Sequence, residues 1–82
     1  MTREDLRQQI LAALTSVAPE VDSAALDSAV PLRNQVDLDS MDFLRFLVEL
    51  HARVGVDVPE TDYPTLTSLD AIADYLSARA GH

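Results

Sequence analysis

The chain has 82 residues, enough for one small domain spanning 1–82, and a domain of that size buries only about 60% of the surface its unfolded chain exposes. Hydrophobic residues make up 48%, yet there are only two Phe, two Tyr and no Trp, so the core has to be built from aliphatic side chains; with no Cys, disulfides and thiolate metal sites are excluded. Fourteen acidic residues against six basic give a net charge of -8, which disfavours nucleic acid and anionic lipid as partners and favours basic patches on other proteins.

Thr2 and Asp5 have the spacing of a capping box, and Leu6, Ile10, Ala13, Leu14 and Val17 recur at helical intervals. A first helix is expected here, ending before Pro19, with Arg3, Glu4, Arg7, Gln8 and Gln9 on a solvated face. The N-terminus lacks the basic-then-apolar pattern of a signal peptide and no apolar run is long enough for a bilayer, so a soluble cytoplasmic protein without membrane insertion is expected.

From Pro19 to Leu38 no period is sustained. Val21, Leu26, Val30, Leu32 and Val36 stand isolated among Pro, Asp, Ser and Asn. Connections beyond about 12–15 residues are uncommon in compact domains. The isolated aliphatics are expected to pin this loop onto the helices, with one helical turn near Ser23 to Leu26.

The most apolar helix should run from Ser40 to about Val54 and close at Gly55, a residue tolerant of positive φ. Either Asp39 or Ser40 can cap it, and Asp42 adds negative charge at the positive end of its dipole. Met41, Phe43, Leu44, Phe46, Leu47, Val48 and Leu50 spread over more than one face, which predicts a central helix wrapped by the others. Val58-Pro59 is extended. Glu60 to Leu66 makes at most one short turn, with Tyr63 and Leu66 inward. Thr67 and Asp70 again have capping-box spacing, and Leu69, Ile72, Ala73 and Leu76 form the stripe of a last helix reaching Ala80, with Gly81 beyond. The fold class expected is all-α: three main helices, a short third helix and a long first loop.

Two chemical readings fail on the residues. A calcium loop opening at Asp37 and Asp39 would need Gly where Asp42 stands and a bidentate Glu where Val48 stands. His51 is a lone histidine on a helix with no nucleophile to activate. No metal site and no catalytic residue is expected.

The segment Asp39-Ser40-Met41-Asp42 resembles the Asp-Ser-Leu or Asp-Ser-Met signature of the acyl carrier protein family. Leu44, Leu47, Leu50 and Val54 fall where that family places core aliphatics. Val58-Pro59-Glu60 resembles its Ile-Pro-acid step and Thr67-Ser68-Leu69 the start of its last helix. The likeness runs from about Arg3 to Ala80, with no insertion or deletion between Ser40 and Leu69. It implies a small four-helix acyl-carrier bundle, monomeric and non-catalytic, bearing 4'-phosphopantetheine on Ser40. A separate phosphopantetheinyl transferase, using coenzyme A and magnesium, would add that arm with help from Asp39. Acyl intermediates of fatty-acid, polyketide or a specialised acyl pathway would then ride as thioesters to acyl-carrier ligases, synthases and acyltransferases.

The same resemblance implies partner contacts at Met41, Asp42, Phe43, Arg45 and Glu49, and an acyl groove lined by Leu44, Phe46, Leu47, Tyr63 and Leu66, with Phe43 a further candidate. For the groove residues, simple core packing is the alternative. Asp37 replaces the family's usual Gly, and Arg45, His51 and Arg53 stand where acidic residues are common, a reversal that predicts altered partner choice. An aminoacyl or peptidyl carrier, which more often shows a Gly-Gly-His/Asp-Ser pattern, and an unmodified acidic helical adaptor are the rival readings.

Overall fold

The computed structural model describes residues 2–79. Three α-helices, α1 (Arg3–Val17), α2 (Ser40–Val54) and α3 (Leu69–Arg79), are joined by connections carrying 3₁₀ turns at Ser23–Ala25 and Leu32–Asn34 and a 3₁₀ helix at Glu60–Thr65. No strand is present among the described residues. The fold is therefore all-α, with the 3₁₀ helix as the short third helix of a four-helix bundle.

α1 starts as its sequence predicts. The Thr2 hydroxyl accepts the Asp5 N–H at 3.1 Å, and Asp5 Oδ2 accepts the Thr2 N–H at 3.1 Å. These bonds, the Thr2 N–H first and its hydroxyl second, hold the Asp5 carboxyl below its ordinary pKa of 3.8. Leu6, Ile10, Ala13 and Leu14 are buried, and the helix closes at Ala18 before Pro19. Its polar face is more than solvated surface. Arg3 pairs with Asp74 of α3 at 2.5 Å, and Arg7 donates to the Ser28 hydroxyl in the first loop.

The core joins the α1 stripe to Phe46, Leu47 and Leu50 of α2, Leu69, Ile72, Ala73 and Leu76 of α3, and Leu32 and Leu66 from the connections. The expectation that α2 is central and wrapped is corrected here. α1 is the element packed closely against both other α-helices. α2 lies on one flank, buries one stripe and leaves Met41, Leu44 and Val48 exposed. Three α-helices cannot enclose one of their own number, so an apolar residue beyond the single contact stripe stays in solvent. Gly55 closes α2 at φ 71°, in the left-handed region that glycine enters without steric cost.

The long first loop is pinned as expected. Leu32 and Val36 are buried, and Val21 and Leu26 pack partly against the core. Backbone bonds add to the pinning: Leu32 N–H donates to Thr67 O at 2.7 Å and Asp70 N–H to Ser28 O at 3.0 Å. Gln35 acts as an internal strut, donating to Asp27 O and Val30 O and accepting from Asp27 N–H. The turn at Ser23–Ala25 is where it was predicted, whereas the one at Leu32–Asn34 was not foreseen.

Two further expectations are corrected. The third helix is six residues long, about two 3₁₀ turns and not one, and it contains Pro64. The cap of α3 is Ser68, whose hydroxyl accepts the Ala71 N–H at 3.1 Å; Thr67 is committed elsewhere through its carbonyl to Leu32. The expected end of the last helix at Ala80, with Gly81 beyond it, lies outside the described residues.

Candidate functional site

Asp39 has extended backbone, φ -84° and ψ -179°, and its carboxylate accepts the Asp42 N–H at 2.8 Å. Asp39 is thus the cap of α2. Ser40 becomes the first helical residue, exposed, with no hydrogen bond to its hydroxyl among the described residues. Had Ser40 been the cap, its oxygen would have been turned into the first turn. Instead the capping work falls to its neighbour and the hydroxyl is left free beside backbone N–H groups that have no intrahelical acceptor.

Ser40 opens onto a groove of about 750 Å³, within the usual range for small-molecule sites. One wall is α2, through Ser40, Phe43 and Leu44; the opposite wall is the 3₁₀ segment, through Glu60, Tyr63, Pro64 and Leu66. Pro31, Leu32, Arg33, Leu38, Asp39 and Thr67 complete the lining. The Phe43 ring meets Tyr63 edge-on, centroids 6.2 Å apart at 83°, and tilts against Phe46 at 6.1 Å. Aromatic pairs at such distances favour these tilted arrangements over flat stacking.

Leu44, Tyr63 and Leu66 therefore lie on the groove, and Phe43 does as well. Phe46 and Leu47 do not. They are 0% and 6% exposed and belong to the core, because their positions on α2 point toward α1. On the outer face of α2, Met41 and Arg45 are exposed, and Glu49 is paired with Arg53 at 3.1 Å one turn away. Among the described residues Arg45 has no ion-pair or hydrogen-bond partner. Arg33, Glu60 and Pro64 are groove residues that sequence reasoning missed. Their chain positions carry no periodic signal, since the path of the loop is set by long-range backbone bonds.

His51 Nδ1 lies 3.2 Å from Val56 O and 3.4 Å from Asp57 Oδ1, where it ties the end of α2 to the following segment. Among the described residues no group of three or more His, Cys, Asp or Glu side chains could hold a metal ion, and no helix is long and apolar enough to cross a membrane.

A phosphodiester on Ser40 suits this geometry. The oxygen is accessible, a helix N-terminus favours negative charge beside it, and an apolar groove leads away from it. Comparisons with known proteins identify the family. The family model described as "Phosphopantetheine attachment site" matches residues 8–76. The chain is also 25% identical over 76 residues to an acyl carrier protein of Rubrobacter xylanophilus, covering 93% of each chain. The chain belongs to the acyl carrier protein family, whose members are generally non-catalytic bearers of a phosphopantetheine group.

Proposed function

We propose that Ser40 is the attachment residue and that the protein carries acyl intermediates as thioesters, delivering them to the enzymes of an acyl pathway. The observation that supports this most directly is the division of labour at the start of α2. Asp39 caps the helix through the Asp42 N–H, so the Ser40 hydroxyl remains available at the head of an apolar groove. When bound, the arm supplies the thiol that a chain without Cys lacks.

The chain's own residues then do three things. The first turn of α2 stabilises the phosphodiester charge. Asp39 keeps one carboxylate oxygen outside its capping bond, positioned to help a transferase place its magnesium. Leu44, Tyr63 and Leu66, with Phe43, give an attached acyl group apolar surface to lie against. Partner enzymes, a phosphopantetheinyl transferase first and acyl ligases, synthases and acyltransferases after it, dock on α2 around Met41, Asp42, Arg45 and Glu49, with Phe43 reached at the mouth of the groove. The whole chain acts as one carrier domain, a monomer of the cytoplasm.

The test is intact-mass spectrometry after incubation with coenzyme A, magnesium and a permissive transferase. The wild type is expected to gain one arm, and Ser40→Ala none while melting as the wild type does. Modification that persists in Ser40→Ala would move the attachment elsewhere. A wild type that takes no arm would leave an acidic helical adaptor as the better reading.

A further inference from the structure

The 3₁₀ helix that walls the groove is poorly supported by its own backbone. Pro59 precedes it without a side-chain cap, Pro64 has no N–H to donate, and none of its residues is fully buried. Side chains fix it on two sides. Toward the groove, Tyr63 rests edge-on against Phe43 of α2. On the other side α3 takes hold of Asp62, which is not part of the groove lining. The Tyr75 hydroxyl donates to Asp62 Oδ2 at 2.6 Å, and Arg79 Nη2 donates to the same oxygen at 2.9 Å. The Arg79 guanidinium also lies over the Tyr75 ring, 4.9 Å from its centroid.

Hydrogen bonds to an ionised carboxylate are shorter and stronger than neutral ones, and two of them converge here from one turn of α3. Asp62 and Tyr63 are consecutive. The hold on Asp62 therefore restrains the backbone that bears the Tyr63 ring, and that ring lines the groove opposite α2. Loss of the hold on Asp62 would leave the wall attached through Tyr63, Leu66 and its backbone ends.

We propose that Asp62, Tyr75 and Arg79 form a clamp that sets the width of the groove and thereby the length of acyl chain the carrier shelters. The proposal rests on the carrier reading above. None of the three residues touches the cargo; they are positioning residues that act through Tyr63. A chain bound only in the folded state raises stability, whereas a chain lying in solvent adds nothing.

The experiment loads wild type and Tyr75→Phe with butyryl, octanoyl or dodecanoyl arms, transferred from the corresponding acyl coenzyme A by a permissive transferase. The melting temperature of each acylated form is read against the same variant bearing an unacylated arm, so a general loss of stability cancels. In the wild type the gain is expected to peak at the chain that fills the groove and to fall for longer ones. In Tyr75→Phe the peak shifts toward longer chains. Asp62→Asn keeps the side-chain shape while removing the charge that Arg79 meets; it should shift the peak likewise, and serves if Tyr75→Phe does not fold. A profile unchanged in both variants would overturn the clamp and leave the carrier intact. A wild type that accepts no arm would overturn the carrier reading and the clamp together.

Discussion

The two faces of α2 have the same chemistry and opposite fates. Phe46, Leu47 and Leu50 are packed against α1, while Met41, Leu44 and Val48 on the same helix are 61%, 42% and 71% exposed. Leu47 and Val48 are consecutive, yet only one is in the core. Hydrophobicity alone therefore does not separate structure from interface on this helix; the number of neighbouring elements does. The row of exposed apolar residues that starts beside Ser40 is left uncovered by the other described elements.

Truncating both neighbours separates the two faces most clearly. Leu47→Ala should lower stability by about 2–5 kcal/mol, since it opens a cavity beside α1. Val48→Ala should stay within about 0.5 kcal/mol. Denaturant melts of the pair decide it, and equal losses would mean that the outer face is covered in solution. Asp39→Ala probes the end of the helix that both faces share. Losing the cap should cost about 1 kcal/mol in the same melts, without removing the Ser40 hydroxyl. Arg45→Glu should leave stability nearly unchanged but speed arm loading or acyl transfer by enzymes with basic docking surfaces. Stopped-flow or discontinuous loading assays at low salt would show it, and unchanged kinetics would remove Arg45 from the docking role.

The smallest effect is on α1, away from both faces. The folded state lowers the Asp5 pKa, so its contribution to stability is present above the unfolded value near 3.8 and is lost as pH falls through the lower folded value. Melts across that acid window should show Asp5→Asn flatter with pH than the wild type. Identical slopes would mean that the capping box does not titrate with folding.

The helices were largely legible in the sequence, because period and caps are local: Thr2 with Asp5, the stripe from Leu6 to Val17, Gly55 after Val54. What was not legible depended on the arrangement of whole elements. The pattern of α2 suggested burial all round, and only the count of available neighbours corrected it. Ser68 caps α3 in place of Thr67, and the Thr67 carbonyl meets Leu32, a partner 35 positions earlier that no local motif reveals. At the site, Ser40 and its motif stood out from the resemblance. Arg33 and Glu60 could not, since they come to line one groove only once the first loop and the 3₁₀ helix have been placed.

The bonds from Leu32 to Thr67 and from Asp70 to Ser28 also bear on how the protein is made. During synthesis α1 and α2 can emerge and pair early, as N-terminal segments generally do. The loop that leads to Ser40 must wait, for its anchors lie at the beginning of the final helix. The approach to that hydroxyl takes its mature path only once the residues from Thr67 to Asp70 have been made and have docked, so ordering of the first loop and seating of α3 are one event.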